Sequence, residues 1–161
     1  MKAVRFHEHG GPEVLRYEDI ERPAAGPGQV LLRVSGVAFN AADGGIREGR
    51  LPIPVTLPHI PGYDVSGTVA ALGDGVDGFA AGEAVIGFLP MTDDGAAAEY
   101  VLAPAEALVA APASIPLEDA AGLPSVGLTA WQALFDDAGL REGQRVLIVG
   151  AGGPVGGYAV Q

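Results

Sequence analysis

Glycines near the end of the printed sequence have the spacing that most directly indicates a chemical task. Residues 145–161 read RVLIVGAGGPVGGYAVQ. The uninterrupted apolar run Val146–Val149 is typical of a strand that is buried on both faces of a parallel sheet. Glycines follow, and Pro154 suits the first position of a helix because its missing N–H costs nothing there. A strand, a glycine turn and a helix N-terminus in this order predict a pyrophosphate site lined by backbone N–H groups.

This glycine turn does not meet the strict G-x-G-x-x-G spacing, because Val155 stands where the third glycine is required. An ordinary tight turn between strand and helix therefore stays open as the alternative. The residue that would contact the ribose is expected about 20 residues further along, beyond Gln161. One strand–helix unit cannot cover both faces of its strand. We therefore expect residues 1–161 to be the first part of a longer chain.

The sequence offers few residues that could bind a metal or form a disulfide. His7 and His9 lie in a turn flanked by glycine and proline, with no third ligand nearby, and we interpret them as exposed loop residues. The chain has no cysteine, which excludes disulfides and thiolate zinc sites. We expect no bound metal.

The net charge of the chain limits the classes of molecule that it can bind. The formal net charge is −11 and the isoelectric point about 4.4. This acidity argues against nucleic acid and anionic membranes as partners. The N-terminal segment lacks the apolar core of a signal peptide, and no apolar run reaches membrane-spanning length. We expect a cytoplasmic protein.

Short strands separated by turn signals dominate the first 112 residues. Gly67 inside one of them predicts a bulge or a close approach of two backbones. The pattern is typical of a β-barrel or sandwich. The predicted strands are Lys2–Phe6, Val14–Glu18, Gln29–Val37, Gly62–Leu72, Glu83–Phe88, Ala96–Leu102 and Ala107–Ala110.

Helical patterns occur at two places. Asn40 is a predicted helix cap, with Asp43 at the third helical position, although Gly44 and Gly45 weaken that helix. From Pro116 onward the sequence predicts a short helix, Pro116–Leu123, and then a helix over Ser125–Ala138 with an apolar stripe. Gly139 ends the second of these helices. We place the domain boundary at residue 124.

Five segments of the sequence resemble the medium-chain dehydrogenase/reductase superfamily, most closely its zinc-independent quinone oxidoreductases. The segments are MKAVRFHEHGGPEVL, GPGQVLLRVSGVAFNAAD, LPHIPGYDVSGTV, GLTAWQAL and GQRVLIVGAGGPVGGYAVQ. The resemblance implies a mainly β GroES-like barrel over residues 1–124. It implies that residues 125–161 are the beginning of an α/β Rossmann domain, which is truncated here.

The same resemblance implies that a catalytic zinc is missing. The zinc-dependent branch places a cysteine just after the third strand, where Gly36–Asn40 here read GVAFN. That branch also has a Gly-His-Glu motif, where Gly62–Asp64 here read GYD. A phenol replaces the imidazole.

Two residues, Asn40 and Thr129, receive roles by resemblance, and Tyr63 is a further candidate. Asn40 and Thr129 are expected near the nicotinamide of the cofactor. Their alternatives are a helix cap for Asn40 and a bond back to its own helical turn for Thr129. Tyr63, with Asn40, is a candidate catalytic residue that would contact the substrate; a buried structural Tyr63 is its alternative. We interpret Asp43 as a structural hydrogen-bond acceptor.

The phosphate loop departs from the A-x-x-G-x-x-G pattern of many relatives. Ala151 and Gly157 fit this pattern, whereas Pro154 replaces the middle glycine and removes one N–H. NADPH as the cofactor follows from the resemblance alone. The predicted cofactor contacts in the loop are Gly152, Gly153, Pro154, Val155 and Gly156.

The leading functional hypothesis is an NADPH-dependent oxidoreductase that reduces quinones or α,β-unsaturated carbonyls by hydride transfer without zinc, as part of a full-length chain. Conjugated substrates need less Lewis-acid help than simple ketones, so orientation and hydrogen bonds can suffice. An enoyl-thioester reductase of the same superfamily and a non-catalytic GroES-like binding module are the alternatives. The resemblance further implies a homodimer of the full-length protein.

Overall fold

A computed structural model describes residues 1–161, which divide into two compact units, Met1–Ala121 and Gly122–Gln161. The first unit contains all seven strands and one α-helix, α1 (Ala41–Arg47). The strands are β1 (Lys2–Phe6), β2 (Leu15–Asp19), β3 (Gln29–Ala38), β4 (Asp64–Leu72), β5 (Ala84–Phe88), β6 (Tyr100–Pro104) and β7 (Leu108–Ala110).

The strands form two antiparallel sheets. β1 pairs with β2, with Lys2 opposite Asp19 and Phe6 opposite Leu15. The other five strands lie in the order β6-β3-β4-β5-β7. The prediction of a mainly β unit is confirmed, but the barrel is not closed. To close a barrel, the two edge strands, β6 and β7, would have to pair with each other. Instead β6 pairs with β3, and the three-residue β7 pairs with β5.

The core of the first unit forms where these strands bring their apolar side chains together. Val30 and Leu32 of β3 pack with Val65 and Val69 of β4, and Phe6 of β1 joins the same buried cluster. Helix α1 contributes Ile46 to the cluster. The core therefore anchors both the start of β4 and α1, the two elements that carry Asn40 and its partners.

Gly67 marks an irregularity, as predicted. The register between β3 and β4 shifts next to Gly67, because Val34 pairs with Gly67 and Gly36 with Ser66, which leaves the β3 residue between them without a partner. A Cβ on Gly67 would lie 2.5 Å from the carbonyl oxygen of Arg33. Both the bulge and the close backbone approach are confirmed.

One predicted strand begins later than expected. β6 begins at Tyr100, not at Ala96, because the preceding N–H groups bond to a loop. Ala96 N donates to Gly62 O (2.6 Å), and Ala97 N donates to Pro61 O (3.0 Å). The segment after β5 is thereby attached to the chain just before β4.

The second unit is helical. α2 (Pro124–Trp131) continues as a π-helix, Gln132–Asp137, before Gly139 ends it with a φ of +60°. The helix is confirmed, and three residues of its apolar stripe, Leu128, Trp131 and Phe135, are exposed. The predicted helix Pro116–Leu123 is also wrong, since only a 3-10 turn forms at Ala120–Gly122. No helix in the chain is long and apolar enough to cross a membrane.

Val146–Val149 is not a strand, contrary to the prediction. These residues have no regular secondary structure and precede the glycine turn and α3 (Pro154–Ala159). No strand pairs with them, and three of the four side chains are exposed. An apolar run without a neighbour has no partners for its backbone hydrogen bonds and therefore does not form a ladder.

Candidate active site

Asn40 is held at the N-terminus of α1 by a capping box with Asp43. The backbone N–H of Asn40 donates to Asp43 Oδ2 at 2.7 Å. Gly44 and Gly45 do not interrupt the helix, which continues to Arg47. The prediction that Asn40 caps this helix is confirmed.

The side-chain amide of Asn40 is oriented from β4. Its Nδ2 donates to Oδ2 of the buried Asp64 at 2.6 Å. Because Asp64 is the first residue of β4, the amide is tied to the sheet as well as to its own helix. This double attachment restricts the rotation of the Asn40 side chain.

Asp43 is a second buried carboxyl beside Asn40. Its Oδ1 accepts a hydrogen bond from Gly62 N at 2.7 Å, which joins the helix to the segment before β4. Burial raises the pKa of Asp43 above its ordinary value of 3.8, although backbone N–H groups of Asn40 and Gly62 act in the opposite direction. The structure agrees with Asp43 as a structural acceptor.

Tyr63 is buried, with 1% of its surface exposed. Its hydroxyl lies 2.8 Å from Nε2 of the equally buried His59. Burial raises the pKa of the Tyr63 phenol far above its ordinary value, which keeps the hydroxyl protonated. These contacts favour the structural alternative for Tyr63, and its catalytic role stays a prediction.

A cavity of about 390 Å³ opens beside Asn40. This volume is within the range of small-molecule pockets. Tyr63 is not among the residues that line it, and the aromatic ring that does so is the exposed Phe39. No three His, Cys, Asp or Glu side chains come together as a metal-binding group. The lining residues are Leu15, Phe39, Asn40, Asp43, Gly44, Arg47 and Pro61.

In the second unit, the glycine turn leads into α3 as predicted, with Pro154 at the helix start. Gly150 has a φ of +84°, which favours glycine, and its carbonyl oxygen would overlap a Cβ on Gly156. Gly156 therefore allows α3 to pack directly on the turn. The N–H of Gly153 donates to Gly150 O at 2.9 Å, so this donor closes the turn.

A cavity of about 470 Å³ adjoins this turn. Gly153, Pro154, Val155 and Gly156 line it, whereas Gly152 and Thr129 do not. Thr129 is exposed on α2, and its Oγ1 donates to Ser125 O at 2.6 Å. This back-bond is the alternative expected for Thr129, and it leaves the cofactor role a prediction.

Sequence reasoning assigned no role to His59, and it placed Gly150 in the glycine turn without naming it as a cofactor contact. A histidine four residues before a tyrosine is a weak signal, because only the folded loop brings the two rings together. Gly150 offered a clearer signal, since a glycine directly after an apolar run often takes a positive φ.

Comparisons with known proteins agree with these features. Residues 26–113 match the model of the alcohol dehydrogenase GroES-like domain. The rat quinone oxidoreductase is 38% identical over 97% of this chain and 47% of its own length. The chain thus spans about half the length of the curated relatives it matches.

Two solved structures have a similar fold. The quinone oxidoreductase from Coxiella burnetii superposes with a TM-score of 0.90 at 34% identity, covering 99% of this chain and 52% of its own. A mycobacterial protein solved in complex with NADPH has a TM-score of 0.87 at 33% identity, covering 99% and 48%. The chain therefore belongs to the medium-chain dehydrogenase/reductase superfamily and carries its alcohol dehydrogenase GroES-like domain.

Proposed function

We propose that this chain is part of an NADPH-dependent oxidoreductase that reduces quinones or α,β-unsaturated carbonyls by hydride transfer without zinc. The observation that carries the proposal is the similarity to quinone oxidoreductases, at 36–38% identity over 97–100% of this chain. The cavity beside Asn40 supports it, because it combines apolar walls with an oriented amide.

We assign the nicotinamide cofactor to the second unit, as the start of a Rossmann domain. The cradle at Gly150 and Gly156 supports this assignment, because only glycine at position 156 lets the helix approach the turn so closely. Exposed backbone at Gly152 and Val155 would hold the pyrophosphate. NADPH supplies the hydride when it is bound, and its choice over NADH rests on the relative solved with NADPH.

Asn40 is the residue we assign to the substrate side of the reaction. Reduction of a conjugated carbonyl places negative charge on its oxygen, and an oriented amide N–H stabilises that charge without reorganising. Asp64 and Asp43 hold Asn40 in advance of the reaction. Thr129 is assigned to the nicotinamide end of the cofactor.

The available side chains support the proposed zinc-free character. The chain has no cysteine, and Tyr63 stands at the position of the zinc-branch histidine. Its hydroxyl is bonded to His59 in the core, and Tyr63 does not line the Asn40 cavity. Activity should therefore survive dialysis against a metal chelator.

The test is NADPH oxidation by the protein as its own gene encodes it, with a quinone and with an enoyl thioester as competing acceptors. The intact mass is measured first, to establish whether the polypeptide is longer than 16.2 kDa. We expect quinone turnover that a chelator does not reduce. Turnover of the enoyl thioester alone, or of neither acceptor, would contradict the proposal.

A substitution isolates the role of Asn40. Asn40→Ser keeps a good helix cap but removes the amide donor. We expect the rate to fall about 10²-fold, as for loss of an oxyanion donor, with the circular dichroism spectrum unchanged. An unchanged rate would remove Asn40 from the mechanism.

A further inference from the structure

The His59–Tyr63 pair is a buried polar contact for which neither the fold nor the proposed reaction accounts. His59 and Tyr63 are each 1% exposed, in the midst of an apolar core. The ring of Phe6 packs edge-on against His59, with centroids 5.5 Å apart. A polar pair in such surroundings costs free energy unless both partners are satisfied. Two hydrophobic residues of the same size would avoid this cost.

The hydrogen-bond roles of the pair follow from its neighbours. The Asp94 carboxylate faces Nδ1 of His59 and favours a proton there, so Nε2 accepts the hydrogen bond from the protonated Tyr63 hydroxyl. The proton of the neutral imidazole is then on Nδ1, which lies 3.4 Å from Asp94 Oδ1. The same Asp94 oxygen accepts a hydrogen bond from Ile60 N at 2.9 Å. The imidazole is thereby held between the loop that carries Asp94 and the ring of Tyr63.

Tyr63 lies in the chain between Gly62 and Asp64, which both bond to the N-terminal turn of α1. Gly62 N donates to Asp43 Oδ1, and Asp64 Oδ2 accepts from the Asn40 amide. The backbone of Tyr63 is bonded as well, since Leu89 N donates to its carbonyl oxygen at 2.7 Å. The Tyr63 ring, bonded to His59 in the core, therefore anchors the stretch of backbone whose neighbours Gly62 and Asp64 bond to Asp43 and Asn40.

We propose that His59 and Tyr63 are positioning residues, which hold the segment Gly62–Asp64 so that Asp64 orients the Asn40 amide toward the substrate. The inference rests on the proposed function of Asn40. It deepens that function by assigning Tyr63 to the support of the site, and it adds His59.

The main variant is Tyr63→Phe, which keeps the ring and removes the hydroxyl. Activity is measured per folded molecule, on the protein as its own gene encodes it. We expect kcat to fall on the order of tenfold, because a misplaced group affects the reacting geometry, while KM stays unchanged. Tyr17→Phe is the matched control, since Tyr17 is exposed on β2 and should leave both constants unchanged. An unchanged kcat in Tyr63→Phe would overturn the inference.

A double-mutant cycle tests whether the pair acts as a unit. His59→Leu is made alone and together with Tyr63→Phe. If the two residues act through one hydrogen bond, the double variant is no slower than the slower single variant. Reductions in kcat that multiply would show independent effects and would overturn the inference.

A spectroscopic measurement keeps the inference separate from the reaction. The NMR signals of the Asn40 side-chain amide should shift in Tyr63→Phe and not in Tyr17→Phe. If the unaltered protein does not reduce quinones, the proposed function fails and these signals still decide the positioning role. If it does reduce quinones but the Asn40 signals do not move, the positioning role alone fails.

Discussion

Two apolar segments of similar sequence have opposite environments in the two compact units. Residues 29–34 read QVLLRV, and residues 145–150 read RVLIVG. Val30 and Leu32 are fully buried in a strand with partners on both edges, whereas Leu147 and Val149 are 87% and 89% exposed. Apolar composition indicates that a strand can form. Neighbouring strands decide whether it does, because they supply the hydrogen bonds and cover the faces.

The candidate site residues differ in the same way. In the first unit, Asn40 is attached to a carboxylate of its own helix and to one of the sheet. In the second unit, the Thr129 hydroxyl donates a hydrogen bond within its own helical turn, to Ser125 O. Tertiary contacts therefore fix the Asn40 side chain before any ligand binds, whereas the orientation of Thr129 depends on local backbone geometry.

The strongest test of this difference compares two leucines in residues 1–161. Leu32→Ala leaves a cavity in the core of the first unit, so we expect a loss of about 2–5 kcal/mol in the free energy of unfolding. Leu147→Ala should change it by no more than about 0.5 kcal/mol. Urea unfolding of both variants measures the effects. Equal losses would show that residues 146–149 are packed in solution.

Two glycines provide a smaller contrast. A Cβ on Gly36 would overlap the Glu118 carbonyl oxygen and lie 2.8 Å from Ser66 Oγ. Gly36→Ala should therefore lower the free energy of unfolding by about 1–3 kcal/mol. Gly127 lies in α2, and a Cβ added there would meet no atom of another segment within 4 Å, so Gly127→Ala should raise the free energy of unfolding by about 0.5–1 kcal/mol. Thermal unfolding measures both changes, and destabilisation by Gly127→Ala would contradict the open surface of α2.

A pH titration addresses the buried imidazole, since all three histidines belong to the first unit. Burial lowers the pKa of His59 below 6.5, although Asp94, Asp93 and Asp43 act in the opposite direction. The unfolded chain therefore binds this proton more readily. The stability from neutral His59 is complete above pH 6.5 and is lost as the pH falls below it. Urea unfolding at several pH values gives the free energy of unfolding as a function of pH. Its slope below pH 6.5 should be smaller in His59→Leu than in the unaltered protein, and equal slopes would refute this.

The smallest expected effect concerns Thr129. Thr129→Ala removes one exposed side-chain bond, so the free energy of unfolding should change by at most about 0.5 kcal/mol. If Thr129 contacts the cofactor, the Kd for NADPH should rise by about 2–10-fold, the equivalent of one hydrogen bond. Isothermal titration calorimetry on the protein as its gene encodes it measures the Kd. An unchanged Kd would leave Thr129 only its helical role.

Local signals account for the predictions that succeeded. Alternating and β-branched segments located the strands, and Gly67 marked the bulge, because both signals act through the nearest residues. The Asn40 cap was predictable for the same reason, since Asp43 is three residues away. The apolar stripe of α2 was predicted, but its exposure was not. Periodicity shows which face is apolar but not what covers it, and Trp131 is exposed.

The sequence by itself determined the family, the order of the seven strands along the chain, the cap at Asn40 and the absence of thiol ligands. These depend on residue types and short spacings. Only the tertiary structure decided that Val146–Val149 lacks a partner and that the edge strands β6 and β7 do not pair. It also decided that Tyr63 faces His59 in the core. Hydrogen bonds between distant segments and burial depend on which surfaces meet in space, and no local pattern contains that information.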